Sequence, residues 1–385
     1  MKNNQQWLSL NFFSFFITWG VFLPYWTGWL TSEKNLSVAM ASIVVGAGMM
    51  SRSLSNLFLY PVFTLKFSLS NVMKWISIIS ILILVLYIPS ETFLPLLIIT
   101  VLFNAVYPNF LPAIESSATI LVATEKIHYG KSRAYGSIGY AVGLLIVGAL
   151  TAIFTDNAIF WIMFIGLVFM TVALYYKTPI VIQTKPKATT QKMEFESIKN
   201  LLTSGGFLIV LIISILLQGA HTSYYNYGFI YLQDIGVNSF YIGIILNLAI
   251  LLEIIFFAIA DRYFYQLKVS TMYIIASIGS TIRWIIVFLF PNVFIFMISQ
   301  ALHVVSFGIA HYAFIKYISE NLQTKQMSTA QGLYSAFGMS LINAVLSFGT
   351  GFLYEISPQL AFLGMTICTI PALILTIITM KKFSY

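Results

Sequence analysis

Seven ionisable side chains stand inside stretches of the sequence that are otherwise apolar. A charge at the centre of a bilayer costs ~2.5–3.5 kcal/mol on insertion scales, so such residues typically bind a substrate, carry a proton or form an ion pair. Histidine exchanges protons near pH ~6.5, and a carboxylate beside an arginine can exchange both proton and partner. The set therefore has the chemistry of a proton-coupled binding site. It consists of Arg52, Glu115, His221, Glu253, Arg283, His303 and His311.

Twelve apolar runs, each long enough to cross a bilayer, must position these residues. A backbone in lipid has to satisfy its own hydrogen bonds, and the runs lack the ~10-residue alternation of barrel strands, so they should be helices. The sequence therefore predicts an all-α membrane protein. We place the spans at about 7–30, 38–62, 72–89, 94–118, 134–154, 157–176, 207–231, 238–260, 270–290, 293–317, 328–354 and 358–380.

The overall composition agrees with this prediction and excludes several classes of protein. Of 385 residues, 59% are hydrophobic and only 8% are charged, against ~25% charged residues in an average soluble domain. A soluble enzyme is thereby excluded. The net charge of +8 is spread along the chain rather than gathered in a patch, which argues against nucleic acid as a partner. The single cysteine, Cys368, excludes an internal disulfide, and we expect neither a cofactor nor a metal.

The basic residues indicate the orientation in the membrane. The amino terminus and every second loop after it hold almost all of them, whereas the opposite loops hold only Lys34. We therefore expect both termini in the cytoplasm and the chain in the inner (plasma) membrane. The cytoplasmic set is Lys2, Lys66, Lys74, Lys126, Lys131, Arg133, Lys177, Lys185, Lys187, Lys192, Lys199, Arg262, Lys268, Lys316, Lys325, Lys381 and Lys382.

A polar stretch at 177–206 divides six predicted helices from six others. The two halves are weakly alike: Tyr135-Gly136-Ser137-Ile138-Gly139 in the fifth span parallels Tyr334-Ser335-Ala336-Phe337-Gly338 in the eleventh. Parallel repeats of this kind form the plan of the major facilitator fold, with a site near the midplane. We predict an N-terminal six-helix bundle at 1–176, a cytoplasmic linker at 177–206 and a C-terminal six-helix bundle at 207–385.

Several motifs resemble a known transporter family over nearly the whole chain. The segment from Tyr129 to Gly139 is similar to the loop and fifth helix of lactose permease and its relatives. The phenylpropionate permease family is more similar still, and this resemblance implies the major facilitator fold. The motifs that carry it are Phe22-Leu23-Pro24-Tyr25-Trp26, Gln218-Gly219-Ala220-His221, Arg283-Trp284 and Gln300-x-Leu302-His303.

The resemblance to lactose permease implies roles for six residues. Glu115 and Arg133 match a carboxylate and an arginine at the sugar site, and Tyr140 matches an aromatic residue that stacks on the substrate. The group matching the network that couples substrate to proton is Glu253, Arg283 and His303.

The match fails at positions that matter for protonation. Gln218 and His221 stand where the sugar carrier has two acidic residues on helix seven. Gln300 replaces a lysine, and Ser306 replaces the glutamate that carries the proton. The proton chemistry must therefore be reassigned, and Glu253 and His303 are the predicted coupling groups, with Arg283 beside them.

We accordingly predict a proton symporter and not an enzyme, because the sequence contains no nucleophile or metal constellation. The best substrate prediction is an aromatic carboxylate. Arg133, oriented by Glu115, would bind its carboxylate, and the other predicted substrate contacts are Trp26, Tyr140, His221 and Tyr225. Asp261 and Arg262 form a predicted gating pair in a cytoplasmic loop, and a monomer suffices.

Two alternatives within the same fold remain open. One is proton symport of a sugar or nucleoside, which the Glu115 and Arg133 pair favours because hydroxyls need paired donors and acceptors. The other is a drug-efflux antiporter. Exporters of that kind resemble one another in a glycine-and-proline motif on helix five, whereas Gly139-x-x-x-Gly143 here has no proline, which favours an importer.

Overall fold

The computed structural model describes residues 2–125, 127–184, 195–383 and 385. Its regular structure in these ranges is helical, and each of the twelve predicted spans corresponds to a helix. The helices are α1 Asn3–Ser32, α2 Val38–Lys66, α3 Leu69–Val85, α4 Phe93–Glu125, α5 Tyr129–Phe154, α6 Ala158–Tyr175, α7 Gly205–Asp234, α8 Ser239–Phe264, α9 Val269–Leu289, α10 Val293–Asn321, α11 Thr329–Ile356 and α12 Pro358–Phe383.

Eleven of these helices in the described ranges are long and apolar enough to cross a membrane. The remaining one, α3, has 17 residues, which is the lower limit for a span. Many large apolar side chains are exposed on the helices, among them Leu82, Ile165, Val172 and Ile378. Such a surface is stable in lipid and not in water, so the chain is a multi-pass membrane protein.

Polar side chains fix where several helices begin. Ser37 accepts a hydrogen bond from the backbone N–H of Met40 at the start of α2, and Ser68 accepts one from Asn71 at the start of α3. Each satisfies a backbone donor that has no partner within its helix. These caps set the registers of α2 and α3, and α2 carries Arg52.

The chain forms two compact units. The first comprises residues 1–189 with 238–244, and the second comprises 190–237 with 245–385. The predicted linker at 177–206 contains the short helices Ile180–Gln183 and Phe195–Thr203, and its residues 185–194 lie outside the described part. The domain boundaries stay a prediction. The orientation in the membrane also stays a prediction, and four of the basic residues used for it lie outside the described ranges: Lys126, Lys185, Lys187 and Lys192.

In the first unit, α1 and α5 pack backbone against backbone. A Cβ atom built on Gly143 would lie 2.5 Å from the carbonyl oxygen of Ile17, and one on Gly20 would lie 2.6 Å from that of Tyr140. Only glycine permits so close an approach. The glycines that suggested a fifth-helix motif in the sequence therefore serve as the contact surface for α1.

In the second unit, α7 and α11 are joined by a ladder of polar side chains. Thr222 donates to Asn343 at 2.6 Å, and Asn226 donates to Ser347 at 2.7 Å. Hydrogen bonds of this kind hold helices together in lipid, where apolar burial gives little driving force. The ladder holds α7, which carries His221, in a fixed register against α11.

Candidate functional site

Arg283 lies at the centre of a buried polar network in the second unit. The side chain is fully buried on α9, with its guanidinium 4.3 Å from the centre of the Trp284 ring and 4.9 Å from that of Tyr224. Its Nη1 donates to His303 Nδ1 and to Ser306 Oγ, both at 3.1 Å. The network thus contains a guanidinium held by aromatic faces and neutral acceptors.

The contacts of His303 define which of its ring nitrogens carries the proton. Because an arginine only donates, His303 Nδ1 must be the acceptor, and a neutral ring then has its proton on Nε2. That Nε2 lies 3.6 Å from Glu253 Oε2. The predicted coupling residues Glu253, Arg283 and His303 are therefore adjacent, with His303 between the acid and the guanidinium.

His221 extends the network onto α7. Its Nδ1 lies 2.9 Å from the carbonyl oxygen of Leu217, so this nitrogen donates, and its Nε2, 3.0 Å from Ser306 Oγ, accepts. Ser306 thereby receives a hydrogen bond from Arg283 and passes one to His221. The structure places His221, predicted as a substrate contact, in direct connection with the coupling group.

Helix α10 brings the members of the network to one face. His303 and Ser306 are three residues apart, which places them on the same side of a helix, and the backbone becomes π-helical from Val304 to Ile309. Such turns occur frequently at functional sites. The rings of His303, Phe307 and His311 are stacked in sequence, 5.2 Å and 5.7 Å apart. His311 therefore adjoins the network through Phe307.

The predicted pair Glu115 and Arg133 forms in the first unit, between α4 and α5. Arg133 Nε lies 3.6 Å from Glu115 Oε1, and both side chains are about one-third exposed. Tyr129 donates its hydroxyl to Glu115 Oε2 at 2.9 Å, and the Arg133 guanidinium lies 4.4 Å from the centre of the Phe16 ring. The cluster presents a donor, an acceptor and an aromatic face, and Tyr129 is a member that sequence reasoning missed.

The other predicted aromatic contacts lie in different surroundings. Trp26 is buried and stacks on Trp29 at 4.6 Å. It follows Phe16 on α1 by ten residues, which is ~15 Å along a helix, so Trp26 does not adjoin the Arg133 cluster. Tyr140 is half-buried on α5. Tyr225 is half-buried beside His221, with ring centres 6.0 Å apart.

The predicted gating residues lie in the last turn of α8. Asp261 accepts a hydrogen bond from the Tyr312 hydroxyl of α10 at 2.7 Å. The Arg262 guanidinium lies 5.6 Å from the ring centre of its neighbour Tyr263. Asp261 thus ties α8 to α10 at one end of the second unit. The gating role itself stays a prediction.

The chain matches the model of the MFS_1 like family over residues 5–364. It belongs to this family. A probable 3-phenylpropionic acid transporter from Escherichia coli is 26% identical over 374 residues, covering 96% of each chain. The maltose permease of Geobacillus stearothermophilus is 25% identical over 299 residues, covering 77% of this chain and 75% of the permease.

Solved structures of transporters share the fold of this family member. The nucleoside transporter NupG superposes with a TM-score of 0.82 over the whole of both chains, at 15% sequence identity. A POT family transporter gives a TM-score of 0.72 over all of this chain and 97% of the other, at 12% identity. The major facilitator fold and the similarity to the phenylpropionate permease family are confirmed. The chain is a secondary transporter, and its relatives are transporters rather than enzymes.

Proposed function

We propose that this transporter takes up a small aromatic carboxylate together with protons, by alternating access. The observation that carries the proposal is the contiguous set Glu253, His303, Arg283, Ser306 and His221 within the membrane-spanning helices. An acid, two histidines and a guanidinium are costly to maintain in lipid. A role in proton coupling would explain why these residues are present in membrane-spanning helices despite that cost.

Glu253 is the proposed proton acceptor of this set. Its side chain is 25% exposed, whereas that of His303 is 4% exposed, so Glu253 is the more accessible of the two. As a carboxylate it attracts the Nε2–H of His303, and that attraction is lost when Glu253 is protonated. Protonation of Glu253 would then alter the hydrogen bonding of His303, and through His303 and Ser306 that of Arg283 and His221.

The proposed substrate class has a ring and a carboxylate. A relative that aligns over 96% of the chain is named for 3-phenylpropionic acid. An acid of this type would use both a cationic and an aromatic side chain of the predicted contacts, such as Arg133 and Tyr140. We further propose a monomer in the inner (plasma) membrane, with both termini in the cytoplasm.

A sugar is the second candidate substrate. The Glu115 carboxylate, the Arg133 guanidinium and the Tyr129 hydroxyl form a set of donors and acceptors of the type that sugar hydroxyls require. A second relative is named as a maltose permease. The two substrate classes differ in charge, so one uptake experiment distinguishes them.

The test is uptake into proteoliposomes under an imposed inward proton gradient, with aromatic acids, sugars and nucleosides offered in turn. We expect gradient-driven accumulation of the aromatic acid. Glu253→Gln should abolish accumulation while exchange of substrate across the membrane persists, and His303→Asn should weaken accumulation. Glu91→Gln, at an exposed position between α3 and α4, is the matched control and should behave as wild type.

Two results would count against the proposal. Accumulation of a sugar or nucleoside in place of the acid would reject the substrate class. Normal accumulation and normal exchange in both Glu253→Gln and His303→Asn would reject the coupling assignment.

A further inference from the structure

Arg52 is a cation in the membrane interior without a polar partner. It stands at the midpoint of α2, and its guanidinium lies 4.8 Å from the centre of the Trp19 ring. No hydrogen bond or ion pair joins this side chain to any other residue that the structure describes, and its buried Nε is unpaired. By contrast, Arg133 lies beside Glu115, and Arg283 has two hydrogen-bond acceptors, although its Nε and Nη2 are also buried and unpaired.

Arg52 lines a small pocket within the first unit. Aromatic side chains of α1 form much of the wall, and residues of α2 and α4 complete it. The cavity holds about 10 Å³, room for about one water molecule. None of the described lining residues is acidic. The polar and aromatic lining residues are Trp19, Phe22, Trp26, Thr27, Thr100 and Asn104.

The polar groups of α4 in this wall already have partners. Asn104 donates its amide to the carbonyl oxygen of Thr100 at 3.0 Å, and the Thr100 hydroxyl is hydrogen-bonded to Tyr87 at 2.7 Å. The indole N–H of Trp26 is also unpaired, but the guanidinium is the charged donor that the wall leaves available. A carboxylate is the matching group, because its two oxygens fit the planar fork of an arginine and cancel its charge.

We propose that Arg52 anchors the carboxylate of the transported acid in place of Arg133, whose charge already has the Glu115 carboxylate beside it, with the aromatic ring of the acid against the indole of Trp19. This inference rests on the proposed function, since it assumes that the substrate is an aromatic acid. The pocket has room for about one water molecule, so one carboxylate oxygen would take that place beside the guanidinium. The half-buried Trp19, against which Arg52 and Phe15 are stacked, would present its exposed edge to the ring. Arg52 gives the first unit a charge-selective contact that is separate from the Glu115 and Arg133 pair.

The test compares an acid with its uncharged analogue in direct binding to the purified protein. Titrations with 3-phenylpropionate and 3-phenylpropionamide, followed by calorimetry, need no proton gradient and thus do not depend on coupling. Wild type should bind the acid more tightly than the amide. Arg52→Gln should weaken binding of the acid by tenfold or more, as expected for a lost charge-assisted contact, and leave the amide unchanged.

Two further variants make the outcome decisive. Arg52→Lys keeps the charge without the planar fork, so it should weaken binding of the acid and leave binding of the amide unchanged. If Arg52→Gln binds neither compound, Arg52→Lys takes its place in the comparison. Unchanged acid affinity in Arg52→Lys would then overturn the inference. The inference would also be overturned if the Arg52→Gln variant still preferred the acid and the Arg133→Gln variant did not. That result would leave the proposed substrate class supported. Wild type that shows no preference for the acid would reject the substrate class and the inference together.

Discussion

The contact between α1 and α5 should fail if a single methyl group is added at Gly143. A Cβ atom there would lie 2.5 Å from the carbonyl oxygen of Ile17, whereas ordinary van der Waals contact begins at 3.4 Å. The obstacle is backbone and cannot rotate away, so the helices must separate by roughly an ångström. Gly143→Ala should therefore destabilise the protein by about 1–3 kcal/mol, the usual cost of overpacking.

Gly130→Ala is the matched control on the same helix. A Cβ atom at Gly130 meets nothing within 4 Å, so this variant gains the ~1 kcal/mol by which alanine favours a helix over glycine and incurs no clash. Thermal unfolding of both variants in one detergent would show Gly143→Ala melting below wild type and Gly130→Ala at or above it. Equal midpoints for the two variants would refute the close-packing argument.

Two further predictions concern coupling. Ser306→Ala removes the hydroxyl between Arg283 and His221 and should lower gradient-driven uptake by tenfold or more, with exchange less affected; equal loss of both would show that the hydroxyl does not serve coupling. Symport of one carboxylate with one proton moves no net charge, so a potassium diffusion potential imposed with valinomycin should leave the initial uptake rate unchanged at fixed pH gradient. A rate that increases with an inside-negative potential would contradict that stoichiometry.

The fold could be predicted because a helix that crosses lipid needs ~20 mostly apolar residues, and such runs are visible in the sequence. The ends of the twelve spans agree with the helices to within a few residues, apart from extensions beyond the membrane such as those of α2 and α4. The pairing of Glu115 with Arg133 was also predicted. Glu253 was expected near Arg283, and the structure places His303 between the two. In both cases a charge inside an apolar helix has so high a cost that a partner was to be expected.

The partners of side-chain hydroxyl groups could not be predicted in this way. Most serine and threonine side chains in these helices bond to a carbonyl of their own helix, as Ser117 does to Ala113 and Thr119 does to Glu115. Ser306 likewise bonds to the carbonyl of His303, so its type did not reveal its contacts with Arg283 and His221. The hydroxyl of Tyr129, which bonds to Glu115, was missed for the same reason. Trp26 is a different case: an aromatic residue is stable in lipid or in a bundle core, so its type could not reveal its distance from Arg133, and its role as a substrate contact stays a prediction.

The charged side chains in the membrane interior are consistent with a transport cycle that moves no net charge. Arg133 and Glu115 cancel one another, and Glu253 balances Arg283 through the neutral His303, so Arg52 leaves the empty carrier with one uncompensated positive charge. An anion at Arg52 would remove that charge, and a proton on Glu253 would restore it. The loaded and empty carriers would then have equal net charge, so the work that one reorientation does against the membrane potential, ~2.3 kcal/mol per charge at 100 mV, is returned in the other and the complete cycle is electroneutral. A carrier for a neutral sugar would have no use for Arg52, so the unpaired guanidinium itself favours an acid.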